Sequence, residues 1–218
     1  MNESIAKPFG EIYGVDYGFT KISFDFDDFF KNKEYVTLKQ VHSNTVYFIN
    51  NKEKDIREGD GIFTTKKNLY SAIKTADCYP LLFYDLEQRF SGALHIGWRG
   101  LSKRIILSLY KTLSINGFSI KSTTKFLIGP GICGKCYEVG KELNKIFSKI
   151  DLFKNCLKEK NSKYYLDIKC GIINELLSVG VKVQNIYNSK ICNFESKDFF
   201  SYRRGDKGKR IYSFIAIL

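Results

Sequence analysis

Short runs of apolar residues, separated by polar turns, recur along most of the chain. Tyr35–Val41 and Val46–Ile49 are rich in β-branched and aromatic residues and flank Ser43 and Asn44, a turn pair, so both read as strands. Leu81–Tyr84 and Ala93–Ile96 are apolar runs on either side of the polar stretch Asp85–Gln88. Lys125–Ile128 ends at Gly129 and Pro130, and Val181–Ile186 alternates apolar with polar positions. Ile211–Leu218 is apolar enough to predict a buried strand. Helical spacing is rarer. Leu101, Ile105, Leu109 and Leu113 recur every fourth residue, with Gly117 as a stop. Ile168, Ile172 and Leu176, with Ile173 and Leu177 beside them, form a second stripe ending at Gly180, and Lys141–Ile150 forms a weaker third. Strands and helices are mixed without strict βαβ alternation. The expected fold is therefore α+β, a single domain over residues 1–218 with a layered, mixed β-sheet core flanked by helices. Residues 50–60 read as a polar loop, and the charge run Asp25–Asp28 as a solvated turn.

Composition narrows the possible functions. The chain has 218 residues, 44% hydrophobic and 27% charged, as a folded domain requires. Its net charge of +12 raises the question of nucleic acid, but 28 of the 35 basic residues are Lys and 7 are Arg. Base and phosphate recognition favours the Arg fork, so the charge is assigned to a lysine-rich surface. A basic RNA-binding module is the rival, and it predicts strongly salt-dependent affinity. Met1–Gly10 has no apolar core of signal-peptide length, and no apolar run reaches the length of a membrane span. The six cysteines then read as thiols or metal ligands in a reducing, cytoplasmic setting. There are two histidines, His42 and His95. A multicopper centre needs on the order of ten imidazoles, so one chain cannot supply it.

Three motifs could carry chemistry. Gly129-Pro130-Gly131-Ile132-Cys133-Gly134 matches G-x-G-x-x-G, with Asp151 about where a ribose-binding acid would lie. Pro130 and the charged segment that follows argue instead for a tight turn of close backbone approach. Cys133 and Cys136 form one C-x-x-C, short of the four ligands of a structural zinc, and buried or incidental thiols are the plainer reading. The third is a constellation: His42, Cys78 and His95 each follow or end an expected strand, where three ligands can converge at one sheet end. Two imidazoles and a thiolate leave a fourth zinc position open, the layout of a catalytic site. Asp60 and Asp77 lie in neighbouring segments, and Arg99, Tyr202, Arg203 and Arg204 could bind an anion such as phosphate.

At these residues the sequence resembles the laccase-domain family, the multicopper polyphenol oxidase-like proteins associated with purine nucleoside phosphorylase activity and, in bacteria, with peptidoglycan editing. The resemblance runs from about Tyr35 onward. It is carried by Lys39-Gln40-Val41-His42, Asp60–Thr65, Thr75-Ala76-Asp77-Cys78, His95–Gly100, Ile128–Cys133 with Cys136–Gly140, and Phe199–Arg204. It implies an α+β fold, His42, Cys78 and His95 as zinc ligands, and phosphorolysis of adenosine, inosine, guanosine and methylthioadenosine, with adenosine deamination. Copper is a possible substitute for zinc. In the implied chemistry Asp77 or Asp60 shuttles a proton, Arg99 acts beside the reacting centre, and Arg203, Arg204 and Tyr202 hold phosphate and nucleoside. Met1–Glu34 shows no match to the family's N-terminal segment, Asn193 stands where Thr usually follows Cys192, and Lys207-Gly208-Lys209-Arg210 replaces Thr-Gly-Arg. A hydrolase of peptidoglycan precursors with Cys78 as nucleophile and a histidine as base is the alternative enzyme. Metal analysis separates the two, because a zinc-bound thiolate is not free to attack.

Overall fold

The computed structural model describes residues 3–51 and 57–218. The middle of the expected 50–60 loop lies outside the described residues. In chain order the strands and helices are β1 (Ile5–Ala6), β2 (Val15–Thr20), α1 (Phe26–Phe30), β3 (Glu34–Val36), β4 (Val46–Phe48), β5 (Gly61–Thr64), β6 (Leu69–Thr75), β7 (Tyr79–Asp85), β8 (Phe90–Ile96), α2 (Trp98–Ser102) and α3 (Ile105–Ile115). There follow β9 (Lys125–Ile128), β10 (Glu138–Val139), α4 (Lys141–Phe147), β11 (Leu157–Lys160), β12 (Lys163–Leu166), α5 (Ile168–Ser178), β13 (Ile186–Asn188) and β14 (Ile211–Ile217). No described helix is long and apolar enough to cross a membrane.

Two large sheets pack face to face. One has the strand order β1-β2-β14-β6-β3, the other β13-β9-β7-β8-β5-β4; a small third sheet, β10-β12-β11, lies apart. Both large sheets mix parallel and antiparallel pairs, with β3–β6, β4–β5 and β13–β9 parallel. Strand alternation sorts the side chains into layers. Leu82, Ala93 and Leu127 of one sheet meet Tyr17, Phe19, Ile73 and Ile215 of the other. Their neighbours Leu81, Phe83, Leu94 and Phe126 face the opposite way, against Ile105, Leu109 and Leu113 of α3 and Ile172 and Leu176 of α5. On the outer side of the first sheet, Phe214 and Ala216 pack under Phe30 of α1. The layers therefore run α1, sheet, sheet, helices, which is the α+β arrangement expected of the sequence.

Several local expectations change. The charge run Asp25–Asp28 is exposed, but Asp25 caps α1 by accepting from the Asp28 amide, so the acids start a helix. The segments on either side of Ser43–Asn44 do not form a hairpin. β3 pairs in one large sheet and β4 in the other. The stripe from Leu101 to Leu113 is two helices, broken at Arg104, whose φ is +62°. Buried Glu175 of α5 holds the break: it accepts from Arg104 Nε at 3.0 Å and from the Leu107 amide at 3.1 Å, and so covers an otherwise bare helix start. Val181–Ile186 is largely a 3-10 turn at Val183–Asn185, with the strand beginning at Ile186.

Candidate metal and substrate site

The chain passes twice from the first large sheet to the second, and a candidate ligand sits at each crossing. His42 lies between β3 and β4, and Cys78 between β6 and β7. The third, His95, is in β8, opposite Pro80 in the β7–β8 ladder, which places it across the hairpin from Cys78. Both crossings turn through a left-handed backbone, with φ +57° at His42 and +82° at Asp77. Such conformations persist in L-residues where the surroundings hold them.

Asp60, fully buried just ahead of β5, holds the first crossing. Its carboxylate accepts from the amides of Val41 (3.3 Å), His42 (3.1 Å) and Ser43 (2.6 Å), and from Ser43 Oγ (2.7 Å). It also lies 2.7 Å from His95 Nδ1. A carboxylate there orients the ring and leaves Nε2 as the free ligand atom. Asp77 holds the second crossing, accepting from Ser201 Oγ at 2.6 Å and the Arg203 amide at 2.7 Å. The His42 and His95 rings lie 4.7 Å apart. One ligand atom each from His42, Cys78 and His95 falls within 4.8 Å of the others. Gly97 makes this approach feasible, since a Cβ there would sit 2.8 Å from Cys78 Sγ and 3.0 Å from His42 Nδ1.

Electrostatics favour the ligating form of Cys78, the thiolate, and a protonated His95 whose proton a metal would displace. Burial raises the Cys78 thiol, but the adjacent His95 and His42 imidazoles outweigh it and bring it down to about 6. Burial works against a charged His95, yet Cys78 and Asp60 raise it to about 9. Asp60 is held down to about 2, its burial overcome by His95 and Ser43. Two imidazoles and a thiolate form a donor set that would suit zinc or copper, and all three residues line one cavity.

The cavity has a volume of about 690 Å³. Its floor is His42, Asp77, Cys78 and His95, and its cationic wall includes Lys74, Arg99, Arg203 and Arg210. Arg99 lies over the Trp98 ring at 4.4 Å and Arg203 over Tyr137 at 5.3 Å, so aromatic faces hold both guanidinium groups. Tyr202 lines the cavity and is largely exposed.

Two site expectations need correction. Arg204 does not face the cavity. Its guanidinium donates to the carbonyls of Asn193 and Ser196 at 2.8 Å, to that of Phe199, and to Asp206 at 2.7 Å, tying its own loop together. Asp60 lies behind His95, outside the cavity lining, so its place is to orient a ligand rather than to carry a proton to substrate. Arg210, Lys74 and Tyr137, to which the sequence assigned no site role, also line the cavity, and Arg210 occupies the region of the family's C-terminal Thr-Gly-Arg. The G-x-G-x-x-G segment is closely packed rather than an open loop. A Cβ on Gly131 would meet the Tyr79 ring at 2.6 Å and one on Gly134 would meet Asp167 Cβ at 2.7 Å, so side chains pack against these glycines while the Gly131 backbone bridges to Cys192. Asp151 is exposed and paired with Lys154 at 2.6 Å.

Fold and site together define a layered α+β protein with a two-histidine, one-cysteine centre at the base of a cationic cavity. The chain belongs to the multi-copper polyphenol oxidoreductase laccase family, whose model matches residues 26–218, from α1 onward. Among curated relatives, the purine nucleoside phosphorylase of Aquifex aeolicus is 33% identical over 188 residues, covering 86% of this chain and 84% of that protein. That of Borreliella burgdorferi is 33% identical over 178 residues, covering 80% and 76%. Among solved structures, YlmD of Geobacillus stearothermophilus superposes with a TM-score of 0.85 at 23% identity, over 97% of this chain and 94% of that one. Bacillus licheniformis YfiH gives 0.83 at 24% identity, over 94% and 93%. The family description names several coppers, yet the two histidines of this chain are both drawn into one centre.

Proposed function

We propose that this chain is a zinc-dependent purine nucleoside phosphorylase, acting on adenosine, inosine, guanosine and methylthioadenosine, and that the same site deaminates adenosine. The observation that carries the reading is the placement of the His42–Cys78–His95 donor set under a wall of Arg99, Arg203 and Arg210. The printed names of the relatives support the phosphorylase half. A zinc ion held by the three residues supplies a Lewis acid at a fixed point of the cavity.

The chain's own residues do the rest. In phosphorolysis a phosphate oxygen bonds to C1′ while the C1′–N9 bond breaks. The electron pair leaves with the purine, which takes up a proton. Arg99, Arg203 and Arg210 hold the phosphate dianion against the sugar, and this positioning is what a bimolecular displacement most needs. Tyr202 and Tyr137 present aromatic surface for the base. Asp77, 8% exposed and in the cavity lining, carries the proton in deamination, where water adds at C6 and ammonia leaves. Through its bond to the Arg203 amide it also places the phosphate-binding loop.

The test is metal analysis of protein purified without added metal, then a nucleoside panel with and without phosphate. Zinc at the centre, phosphate-dependent release of adenine from adenosine, and phosphate-independent formation of inosine are expected. Loss of both activities with the metal in Cys78→Ala completes the result. Unchanged metal and turnover in that variant would overturn the assignment. The lowered Cys78 thiol beside two imidazoles also fits a cysteine hydrolase. That reading requires Cys78 to be alkylated readily in protein as isolated, whereas a metal-bound thiolate resists alkylation.

A further inference from the structure

A second group of ligating side chains lies outside this site. Cys133, Cys136, Cys192 and Glu195 each offer one ligand atom, and all four atoms fall within 4.8 Å of one another. In the sequence they are two copies of one spacing, C-x-x-C at 133–136 and C-x-x-E at 192–195, about sixty residues apart. We infer that these four residues form a structural zinc site that ties the turn leading into Tyr137, over which Arg203 lies, to the segment whose Asn193 carbonyl receives Arg204.

The backbone is built for it. Gly131 and Cys192 form a parallel bridge, with the Asn193 amide donating to the Gly131 carbonyl at 3.3 Å. Each half-site then turns at once. The Cys136 amide donates to the Cys133 carbonyl at 2.9 Å, and the Ser196 amide to the Cys192 carbonyl at 2.9 Å. The bridge thus sets two similar turns side by side, each aiming its first and fourth side chains at a common point. A backbone amide already points at sulfur, with Cys133 N–H donating to Cys192 Sγ at 3.3 Å, the kind of contact that stabilises a thiolate.

The dimensions and chemistry agree with zinc. Tetrahedral zinc with bonds of about 2.3 Å to sulfur spaces its sulfur ligands about 3.8 Å apart. Closing the group from within 4.8 Å to that spacing is a side-chain adjustment on two turns already in place. Three thiolates select a soft metal over magnesium or calcium. Four protein ligands close the coordination shell, as in structural rather than catalytic centres. Lys135, between the two cysteines of the first turn and 2.8 Å from Glu195, offsets part of the site's negative charge. The single C-x-x-C looked short of ligands in sequence because its partners lie on the far loop and one of them is a glutamate.

The location gives the site a purpose. Cys136 adjoins Tyr137, over which Arg203 lies. Cys192 adjoins Asn193, whose carbonyl receives Arg204. A metal here would steady both the Tyr137 ring under Arg203 and the segment that anchors the neighbouring Arg204.

The two metal centres separate cleanly by mutation, whatever reaction the first one serves. Protein isolated under reducing conditions without added metal should contain two zinc ions per chain. Cys78→Ala should keep one, Cys136→Ser should keep the other, and the double variant should hold none. Cobalt loaded into Cys78→Ala should show intense thiolate-to-metal absorption that Cys136→Ser abolishes. If Cys136→Ser does not fold, exposed Glu195→Ala serves instead, with zinc affinity lowered about tenfold or more in chelator competition, the scale on which even outer partners of a ligand act. One zinc in the wild type and none in Cys78→Ala overturns the inference. So does a Cys133–Cys136 disulfide in the protein as isolated under reducing conditions, or cobalt absorption indifferent to position 136.

Discussion

Replacing Asp60 with Asn changes one atom of a fully buried group and tests the logic of the centre. One carboxylate oxygen receives Val41 N–H, Ser43 N–H and Ser43 Oγ; an amide oxygen can take over that role. The other receives His42 N–H and faces His95 Nδ1. In the variant an amide NH₂ stands there, so His42 N–H meets a donor and His95 must accept through Nδ1. Its proton then moves to Nε2, the atom needed for the metal. One buried amide left unsatisfied costs about 1–3 kcal/mol, and a lost charge-assisted contact about 1.5–3 more, so we expect the metal-free protein to lose about 3–5 kcal/mol. Metal affinity should fall about 10- to 100-fold, the usual effect of removing a carboxylate behind a ligating histidine. The pH dependence has a defined sign. Asp60 is depressed from 3.8 to about 2, so its contribution is present above about pH 4 and lost as pH falls through 2. The stability gap between wild type and variant should therefore narrow in acid. Urea unfolding of the metal-free proteins across pH 2–7, with zinc titration against a chromogenic chelator, measures both effects. Wild-type zinc affinity in the variant, or a stability loss under about 1 kcal/mol at neutral pH, would refute the role given to Asp60.

Other expectations separate the arginines and the buried acids. Arg203→Ala should raise the KM for phosphate about 10- to 100-fold with little change in Tm, as fits loss of a charged hydrogen bond to ligand. Arg204→Ala should do the reverse and lower stability by about 2 kcal/mol, because its donors are held by its own loop. Asp85 accepts from Glu87 N, Gln88 N, Gln88 Nε2, Thr123 Oγ1 and Thr124 Oγ1. Its burial would raise its carboxyl, but these donors keep it below the usual range. Asp85→Asn should thus be destabilising near pH 7, with the gap closing as pH falls below about 4, in urea titrations at several pH values. Glu175→Ala should lower stability by about 3–5 kcal/mol in the same assay, since it uncovers the start of α3 and leaves Arg104 without its partner.

Strand identity was legible where an apolar run is short and uninterrupted, but not at Val15–Thr20, Gly61–Thr64 or Leu69–Thr75, buried strands in which Asp, Gly, Thr, Ser or Lys breaks the run. Lys125–Ile128 and Ile211–Ile217 needed no tertiary information, because their apolar runs are short and bounded by turn residues. What the pattern does not encode is which sheet a strand joins. Tyr35 and Val46 lie eleven residues apart around a plausible turn, yet the chain between them changes sheets, directed by a carboxylate at position 60. The break at Arg104 was hidden for the same reason. Leu101 and Ile105 keep helical spacing across it, and the acid that stabilises it comes from α5. At the site, residue chemistry made the His42, Cys78 and His95 grouping visible. It did not distinguish Arg203 from Arg204, since adjacent residues of equal charge differ only in which way the loop turns. Cys192 and Glu195 stayed unlinked to Cys133 and Cys136 until a two-residue bridge placed the loops together.

The sheet crossing at His42 gives a way to separate ligand from scaffold. His42 has φ +57°, and a left-handed L-residue carries strain of about 1–2 kcal/mol that glycine does not. Glycine in turn is disfavoured by about 0.5–1 kcal/mol through the entropy of the unfolded chain. Asp60 grips position 42 through its amide, which His42→Gly retains, so the crossing keeps its backbone anchor. The two backbone terms nearly cancel, and metal-free His42→Gly should match the metal-free wild type within about 1 kcal/mol. Adding zinc should then split them. At a thousandfold excess over its Kd the metal stabilises the wild type by about 4 kcal/mol, and it should stabilise the variant far less, because no other imidazole stands near enough to replace the lost one. Thermal unfolding with and without metal reads both halves. Equal stabilisation of the two proteins would mean that position 42 is no ligand. A large loss in the metal-free variant would mean that the imidazole, rather than the amide, holds the crossing.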